Sequence, residues 1–252
     1  MKYLCLFILV LLQAIQIAVA GTNQKNFTES AYDAANTYHF QIPFFAGLAS
    51  LLLLDGEVSD NASKNTPLFG SQSNAKAATD GMLLALFPVM MYTSTLPALR
   101  DQTESEYFSP RTKFLLTQSS IILIDFLTIH AIKSSTRRIR PDQSDNLSFP
   151  SGHSSLSSGL ARTIYNNIKN SPKNDTKLGK TIQYGSFITA GLVAWGRVEA
   201  KKHHLSDVLL GNAFGAYISD LLYSIYYKHY NVQPIVEIEN ADEVSLNLIY
   251  RF

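Results

Sequence analysis

The sequence predicts an all-α protein, a six-helix bundle with its candidate active site at one end, followed by a small C-terminal β-hairpin. Three observations predict this fold. Six apolar segments of helical length are separated by polar or turn-rich stretches. The charged clusters fall where these segments begin or end, and the last residues change to a strict alternation typical of strands. The 252 residues are enough for one domain with a substantial core.

Residues 1–20 are predicted to be a signal peptide. Lys2 precedes an apolar run over 3–12, and the small residues 18–20 offer a cleavage site. An uncleaved anchor helix is the alternative. Cys5 is the single cysteine of the chain and lies in this segment, so the mature protein would contain no disulfide. The protein is therefore expected to be exported.

The helical domain is predicted to cover residues 21–230, with its core over 113–228. The six expected helices, in chain order, span 34–54, 81–99, 114–132, 151–170, 178–195 and 207–227. The polar stretch 57–80 is interpreted as a surface loop that has room for a short helix. Gly211 and Gly215 are four residues apart, so a neighbouring helix could approach the last helix closely. The tail, residues 231–252, alternates around a turn at 240–242 and is predicted to form the hairpin.

Composition leaves the relation to a membrane open. The net charge of +1 gives no general case for nucleic acid as a partner. The predicted helices are about 20 residues long, the length of a membrane span. However, Asp125 and Asp220 fall in the middle of two of them, which is costly in lipid. We expect an exported helical domain, soluble or resting on the membrane, with a multi-span protein as the alternative.

The first cluster of candidate functional residues is Lys133 with Arg140-Pro141, at the end of the third helix. The planar guanidinium of Arg140 can bind two phosphate oxygens at once, whereas Lys133 offers a point charge. Taken alone, a solvated basic loop is the better interpretation of this cluster.

The second cluster is Pro150-Ser151-Gly152-His153, immediately before the fourth helix. Ser151 can cap that helix, Gly152 lets the backbone approach a ligand, and the free N–H groups of the first turn favour an anion. His153 then lies beside that anion. The alternative is a capped helix with an incidental histidine.

The third cluster is Arg197, His203 and Asp207, between the fifth and sixth helices. His203 and Asp207 are four residues apart and share a face of a helical turn. A carboxylate on Nδ1–H fixes the tautomer and leaves Nε2 free, which prepares a histidine nucleophile. His204 fits this spacing less well and is interpreted as a flanking residue, while Glu199 receives no role.

Together, in this order, the three clusters resemble the type-2 phosphatidic acid phosphatase and vanadium haloperoxidase superfamily. Its pattern is Lys, six residues, Arg-Pro, then Pro-Ser-Gly-His, then Ser-Arg, five residues, His, three residues, Asp. The sequence matches every spacing, and the resemblance covers about 133–215. One departure is Gly196, where the family usually has serine, which puts one hydroxyl contact to phosphate in doubt.

The resemblance implies a role for each matching residue. His203 would attack phosphorus and form a phosphohistidine, His153 would protonate the leaving oxygen and then activate water, and Asp207 would orient His203. Residues expected to bind the phosphoryl oxygens are Lys133, Arg140, Ser151, Gly152 and Arg197. No metal and no cofactor are expected, and vanadate is expected to inhibit.

The predicted function is therefore a metal-independent phosphatase that hydrolyses a phosphate monoester or diphosphate of a lipid. Its expected partners are a lipid phosphate and a membrane surface, not nucleic acid, and its expected location is the periplasm or cell envelope. One alternative is an exported acid phosphatase acting on small soluble esters. A vanadate-dependent haloperoxidase and a non-enzymatic helical envelope protein are the others.

Overall fold

The computed structural model describes residues 24–53, 55–64, 67–96, 110–226, 233–240 and 243–249. The helices in these ranges are α1 (Gln24–Ala35), α2 (Tyr38–Leu53), α3 (Asp55–Lys64), α4 (Gln72–Ser94), α5 (Pro110–Thr136), α6 (Gly152–Lys169), α7 (Lys177–Glu199) and α8 (Leu205–Ser224). Two antiparallel strands, β1 (Gln233–Asn240) and β2 (Glu243–Ile249), occupy the tail, with Val236 opposite Leu246. The predicted signal peptide lies outside the described residues.

The helical class is confirmed, but the described ranges hold eight helices where the sequence analysis expects six. The additional helices are α1 and α3, in stretches interpreted as polar and as a loop. Phe27, Ser30 and Ala34 give α1 a narrow stripe that packs against α8, too sparse to stand out in the sequence. In α3, acidic residues occupy the first turn and Lys64 the last, an arrangement that favours a helix of polar composition.

Helices α6 and α8 form the centre of the bundle, and glycines allow their close approach. A Cβ atom on Gly211 would lie 2.7 Å from the carbonyl oxygen of Ser151, and one on Gly215 would collide with the backbone of Ser155. The prediction that a helix approaches these glycines is confirmed, and that helix is α6. The contact also brings the start of α6 to the start of α8, where the Ser151 amide donates to the Asp207 carbonyl oxygen at 2.9 Å.

The three clusters meet at one end of the bundle. Lys133 lies in the last turn of α5, α6 begins at Gly152, and Arg197 lies in the last turn of α7. The loop after α7 carries His203 into α8. Because α5 and α7 end where α6 and α8 begin, residues far apart in sequence share one cleft.

No single helix in the described ranges combines the length and apolar composition of a membrane span. Tyr38–Leu53 and Glu57–Lys64 meet that measure only as a pair, bent by 97°. Large apolar side chains are nevertheless exposed on several helices, among them Ile42, Phe45, Leu84, Leu123 and Ile188.

Candidate active site

A cleft of about 270 Å³ opens at the end of the bundle where the clusters meet. Six of the eight predicted site residues line it: Lys133, Arg140, Gly152, His153, Arg197 and His203. The other two, Ser151 and Asp207, are fully buried behind this lining. The remaining wall is largely apolar and is formed by Leu83, Phe126, Ile129 and Leu156, with Asp125 and His130.

Two hydrogen-bond partners, one that can only accept and one that can only donate, hold His203 in a single tautomer. Its Nδ1 lies 2.7 Å from the carbonyl oxygen of Ser148, which can only accept, so Nδ1 carries the proton. Its Nε2 lies 3.1 Å from Nη1 of Arg140, which can only donate, so Nε2 presents its lone pair. The ring is therefore neutral, with an unprotonated Nε2 among the cleft cations.

The surroundings of His203 oppose its protonation. Burial is the main cause that lowers its pKa to about 3, and the charges of Lys133 and Arg140 act in the same direction. The interaction of His203 with Asp207, which includes the negative charge of the carboxylate, opposes them only in part. At neutral pH Nε2 is consequently unprotonated and has the lone pair that an attack on an electrophile needs.

The predicted direct hydrogen bond from His203 to Asp207 is wrong. The distance from Nδ1 to Oδ2 of Asp207 is 3.9 Å, and the Ser148 carbonyl takes the Nδ1 proton instead. Asp207 accepts from the Ser148 hydroxyl, from Arg138 Nη1 at 2.7 Å and from the His204 amide at 2.9 Å. It therefore acts on His203 through Ser148 and through its charge.

Arg138 is a site residue that the sequence analysis did not identify. Its guanidinium joins Asp207 to Asp55 at the start of α3 and donates to Ser206 Oγ at 2.8 Å. Burial alone would raise the pKa of Asp207, but its interaction with His203, the charge of Arg138 and the hydrogen bond from Ser148 lower it to about 2. The carboxylate thus stays ionised beneath the cleft.

His153 has a different kind of partner. Its Nε2 lies 2.8 Å from Oδ1 of Asp80 on α4, so Nε2 carries a proton and donates to the carboxylate. The same oxygen lies 3.3 Å from Nη1 of Arg197. Burial and the charge of Arg197 lower the pKa of His153, and Asp80 opposes them. No feature of the sequence singles out Asp80.

The cations of the cleft are held by backbone carbonyls and by carboxylates. Arg140 donates through Nε to Asp145 Oδ1 at 2.6 Å, and Arg197 lies 3.3 Å from Asp80. Lys133 Nζ donates to the Leu147 carbonyl at 2.7 Å, and Arg140 Nη1 donates to the Lys202 carbonyl at 2.7 Å. Burial is the main cause that lowers the pKa of Lys133 to about 8, followed by the charge of Arg140. Within the described residues, Nε of Arg197 is buried and has no hydrogen-bond partner. These groups have unused capacity for an anion.

Of the two predicted phosphate ligands at the start of α6, Ser151 and Gly152, only Gly152 faces the cleft. Ser151 caps the helix, with its hydroxyl 3.4 Å from the Ser154 amide and 3.0 Å from the Ser154 hydroxyl. Its side chain is thus engaged with the helix and lies behind the cleft. Gly152 faces the cleft, and a Cβ there would lie 3.6 Å from Lys133 Cε. The absence of a side chain leaves that space to a ligand.

Two residues near Arg197 find a structural explanation. Glu199, fully buried, accepts the backbone amides of Leu68 and Phe69 at 2.9 Å each and so anchors the segment before α4. A Cβ on Gly196 would overlap Cγ2 of Thr79 and lie 3.0 Å from the Phe69 ring. Glycine at 196 therefore allows α4 to pack against the end of α7.

Comparison with known proteins agrees with this geometry. Residues 114–231 match the model of the PAP2 superfamily, so this part of the chain, which carries all three clusters, belongs to that superfamily. No curated protein sequence matches the chain. Among solved structures, it is similar to one described as the first transmembrane PAP2-type phosphatidylglycerolphosphate phosphatase from Bacillus subtilis. That match has a TM-score of 0.56 and 21% identity, covering 81% of this chain and 93% of the other.

The family match and the shared fold together support a phosphatase of the PAP2 type. The family match contains all three clusters but excludes α1 to α4, and with them Asp80 and Asp55. Within the described residues, no three of His, Cys, Asp and Glu are grouped so that they could hold a metal ion. Whether the reaction needs a metal stays a prediction, as do the roles of the individual site residues.

Proposed function

We propose that the protein hydrolyses a phosphate ester through a phosphohistidine on His203. The carrying observation is the Nε2 lone pair of His203, fixed by Ser148 and Arg140 in a cleft lined by cations. Nε2 attacks phosphorus, a P–N bond forms, and the P–O bond to the leaving group breaks. His153 gives a proton to the leaving oxygen and then takes one from water, which releases phosphate and restores His203.

Three cations support this reaction. Lys133, Arg140 and Arg197 line the cleft and approach from three different segments of the chain. Negative charge on the equatorial oxygens of a transferring phosphoryl group is stabilised by such preorganised positive groups. We therefore assign phosphate binding to these residues and to the Gly152 amide, and propose that no metal is needed.

We further propose that the substrate is a lipid phosphate and that the protein works at a membrane in the cell envelope. Four apolar side chains, Leu83, Phe126, Ile129 and Leu156, line the cleft beside the cations and suit an apolar leaving group. Exposed apolar side chains on α2, α4, α5 and α7 favour contact with lipid. The similar solved structure is described as transmembrane and as acting on a phospholipid phosphate.

Phosphate release from detergent-dispersed lipid phosphates, compared with a chromogenic aryl phosphate, tests the substrate class. We expect a higher kcat/KM for the lipid phosphate. Equal or faster turnover of the small ester, without gain from lipid, would instead favour a soluble acid phosphatase.

The intermediate is tested by quenching the enzyme during turnover of a radiolabelled substrate. We expect an acid-labile, base-stable phosphoryl group, lost in His203→Ala and retained in His204→Ala. A label that persists in His203→Ala would contradict the assignment of the nucleophile.

A further inference from the structure

The Asp80 carboxylate contacts both the predicted acid, His153, and a predicted phosphate ligand, Arg197. Its Oδ1 accepts from His153 Nε2 at 2.8 Å and lies 3.3 Å from Arg197 Nη1. The side chain is 43% exposed, so it stands at the accessible edge of the site. Asp80 belongs to α4, outside the residues that match the family model, and the motif pattern gives it no role.

The charges around His153 oppose the protonated state that an acid catalyst needs. Burial, Arg197 and Lys133 lower the pKa of His153, and Asp80 is the carboxylate that raises it. The other titratable or charged groups that line the same cleft are Arg140, Asp125, His130 and His203. Because Lys133, Arg140 and Arg197 surround the phosphate site, an unpaired imidazolium there would face strong repulsion.

The hydrogen bond also determines which proton is available. Asp80 accepts the Nε2 proton, and no partner of His153 Nδ1 lies in the part of the chain that the structure describes. An imidazolium at this position therefore keeps its Nε2 proton on Asp80 and has its Nδ1 proton free for another acceptor.

We propose that Asp80 is a positioning residue that favours the protonated form of His153 and directs its Nδ1 proton to the leaving oxygen. The inference rests on the proposed function. As the P–O bond breaks, the Nδ1 proton moves to the leaving oxygen and the Nε2 proton stays on Asp80. The resulting neutral ring has its lone pair on Nδ1, which accepts a proton from the water that attacks the phosphohistidine.

The test is the dependence of kcat/KM on the leaving group in Asp80→Asn. An alkyl phosphate needs a proton on its leaving oxygen, whereas nitrophenolate leaves without one. We expect a loss of about tenfold to a hundredfold with hexyl phosphate and a much smaller loss with nitrophenyl phosphate. With hexyl phosphate, the fall of kcat/KM at rising pH should also move to lower pH. Asp80→Glu should restore part of the activity.

Asp60→Asn is the matched control, because Asp60 pairs with Lys201 on the surface and does not line the cleft. This substitution should change kcat/KM for neither substrate. Equal losses with both substrates in folded Asp80→Asn would overturn the proposal. A lower KM with unchanged kcat would overturn it too, since Asp80 would then only block Arg197. No phosphate release by the unsubstituted protein from either ester or from a detergent-dispersed lipid phosphate would instead overturn the proposed function itself.

Discussion

The two histidines of the cleft are held in opposite ways. His203 is 2% exposed, and its ring is fixed by a backbone carbonyl and a guanidinium. His153 has a side chain that is 33% exposed and is bonded to a carboxylate. The first arrangement excludes a proton from Nε2, whereas the second retains one. The contrast shows that one cationic cleft can hold a nucleophile and an acid if only the acid is hydrogen-bonded directly to a carboxylate.

We name the two halves by these residues. The His203 side comprises His203, Ser148, Asp207 and Arg138, and the His153 side comprises His153, Asp80 and Arg197. Substitutions that affect one side alone test whether the two sides act independently.

Replacing the proposed nucleophile should have the largest effect. His203→Ala removes the lone pair that forms the covalent intermediate, so phosphate release should fall by about 10⁴-fold or more. His204→Ala is the matched control, since His204 is adjacent but does not line the cleft. Steady-state kinetics on both variants, with thermal unfolding to confirm that each folds, gives the measurement. Substantial activity in His203→Ala would remove the distinction between the two sides.

Asp207→Asn should have the next largest effect and act on the His203 side alone. In a triad where the carboxylate itself fixes the tautomer, its neutralisation costs about 10⁴-fold. Here the Ser148 carbonyl fixes the tautomer, so we expect a smaller loss in kcat, about a hundredfold, from the missing charge. Leaving-group dependence should stay unchanged, because His153 is not involved. A loss as large as that of His203→Ala would show that the carbonyl does not suffice.

Sequence spacing predicted the residues that belong to continuous motifs. Six of them line the cleft, because short motifs at helix ends are brought together by any antiparallel bundle with these connections. Sequence spacing could not predict the residues that hold these side chains in place. Ser148 acts through its backbone carbonyl, which every residue possesses, so no side-chain pattern marks it. Arg138 acquires its contacts through the packing of α8 and α3 around it, and Asp80 through the packing of α4 against the site.

The helices themselves show the same limit. Long apolar segments were predicted, whereas α1 was missed and α3 was allowed for only as a short helix within a loop. The stability of these two helices depends on a few buried contacts and on terminal charges. Tertiary packing decides such segments more than local pattern does.

Replacing a third carboxylate, Asp125, should have a smaller effect, and that effect is on stability. It is 2% exposed, accepts from Ser155 at 2.7 Å, and burial raises its pKa from 3.8 to about 7. Below the unfolded pKa both states are protonated and no cost arises. As pH rises towards 7, the unfolded chain ionises first, so the folded state loses stability. Asp125→Asn should remove a loss of about 2 kcal/mol between pH 5 and pH 7.

Chemical denaturation at both pH values measures this difference. Thr128→Val is the control, because Thr128 is equally buried on α5 but does not titrate. It should leave the pH dependence as it is. An unchanged slope in Asp125→Asn would mean that the carboxyl is ionised in the folded protein.

The smallest effect is expected from Gly196→Ser, which introduces the residue usual in the family. The new Cβ would overlap Cγ2 of Thr79 and press on Phe69, so we expect a loss of stability of about 1–2 kcal/mol. Thr79→Ala should recover part of this loss in the double variant, because it removes the overlapping methyl group. Thr79 precedes Asp80, so a shift of α4 would also disturb the bond from Asp80 to His153. Thermal unfolding and leaving-group dependence should therefore change together. If stability falls alone, α4 adjusts without moving Asp80, and the His153 side is held more rigidly than its exposure suggests.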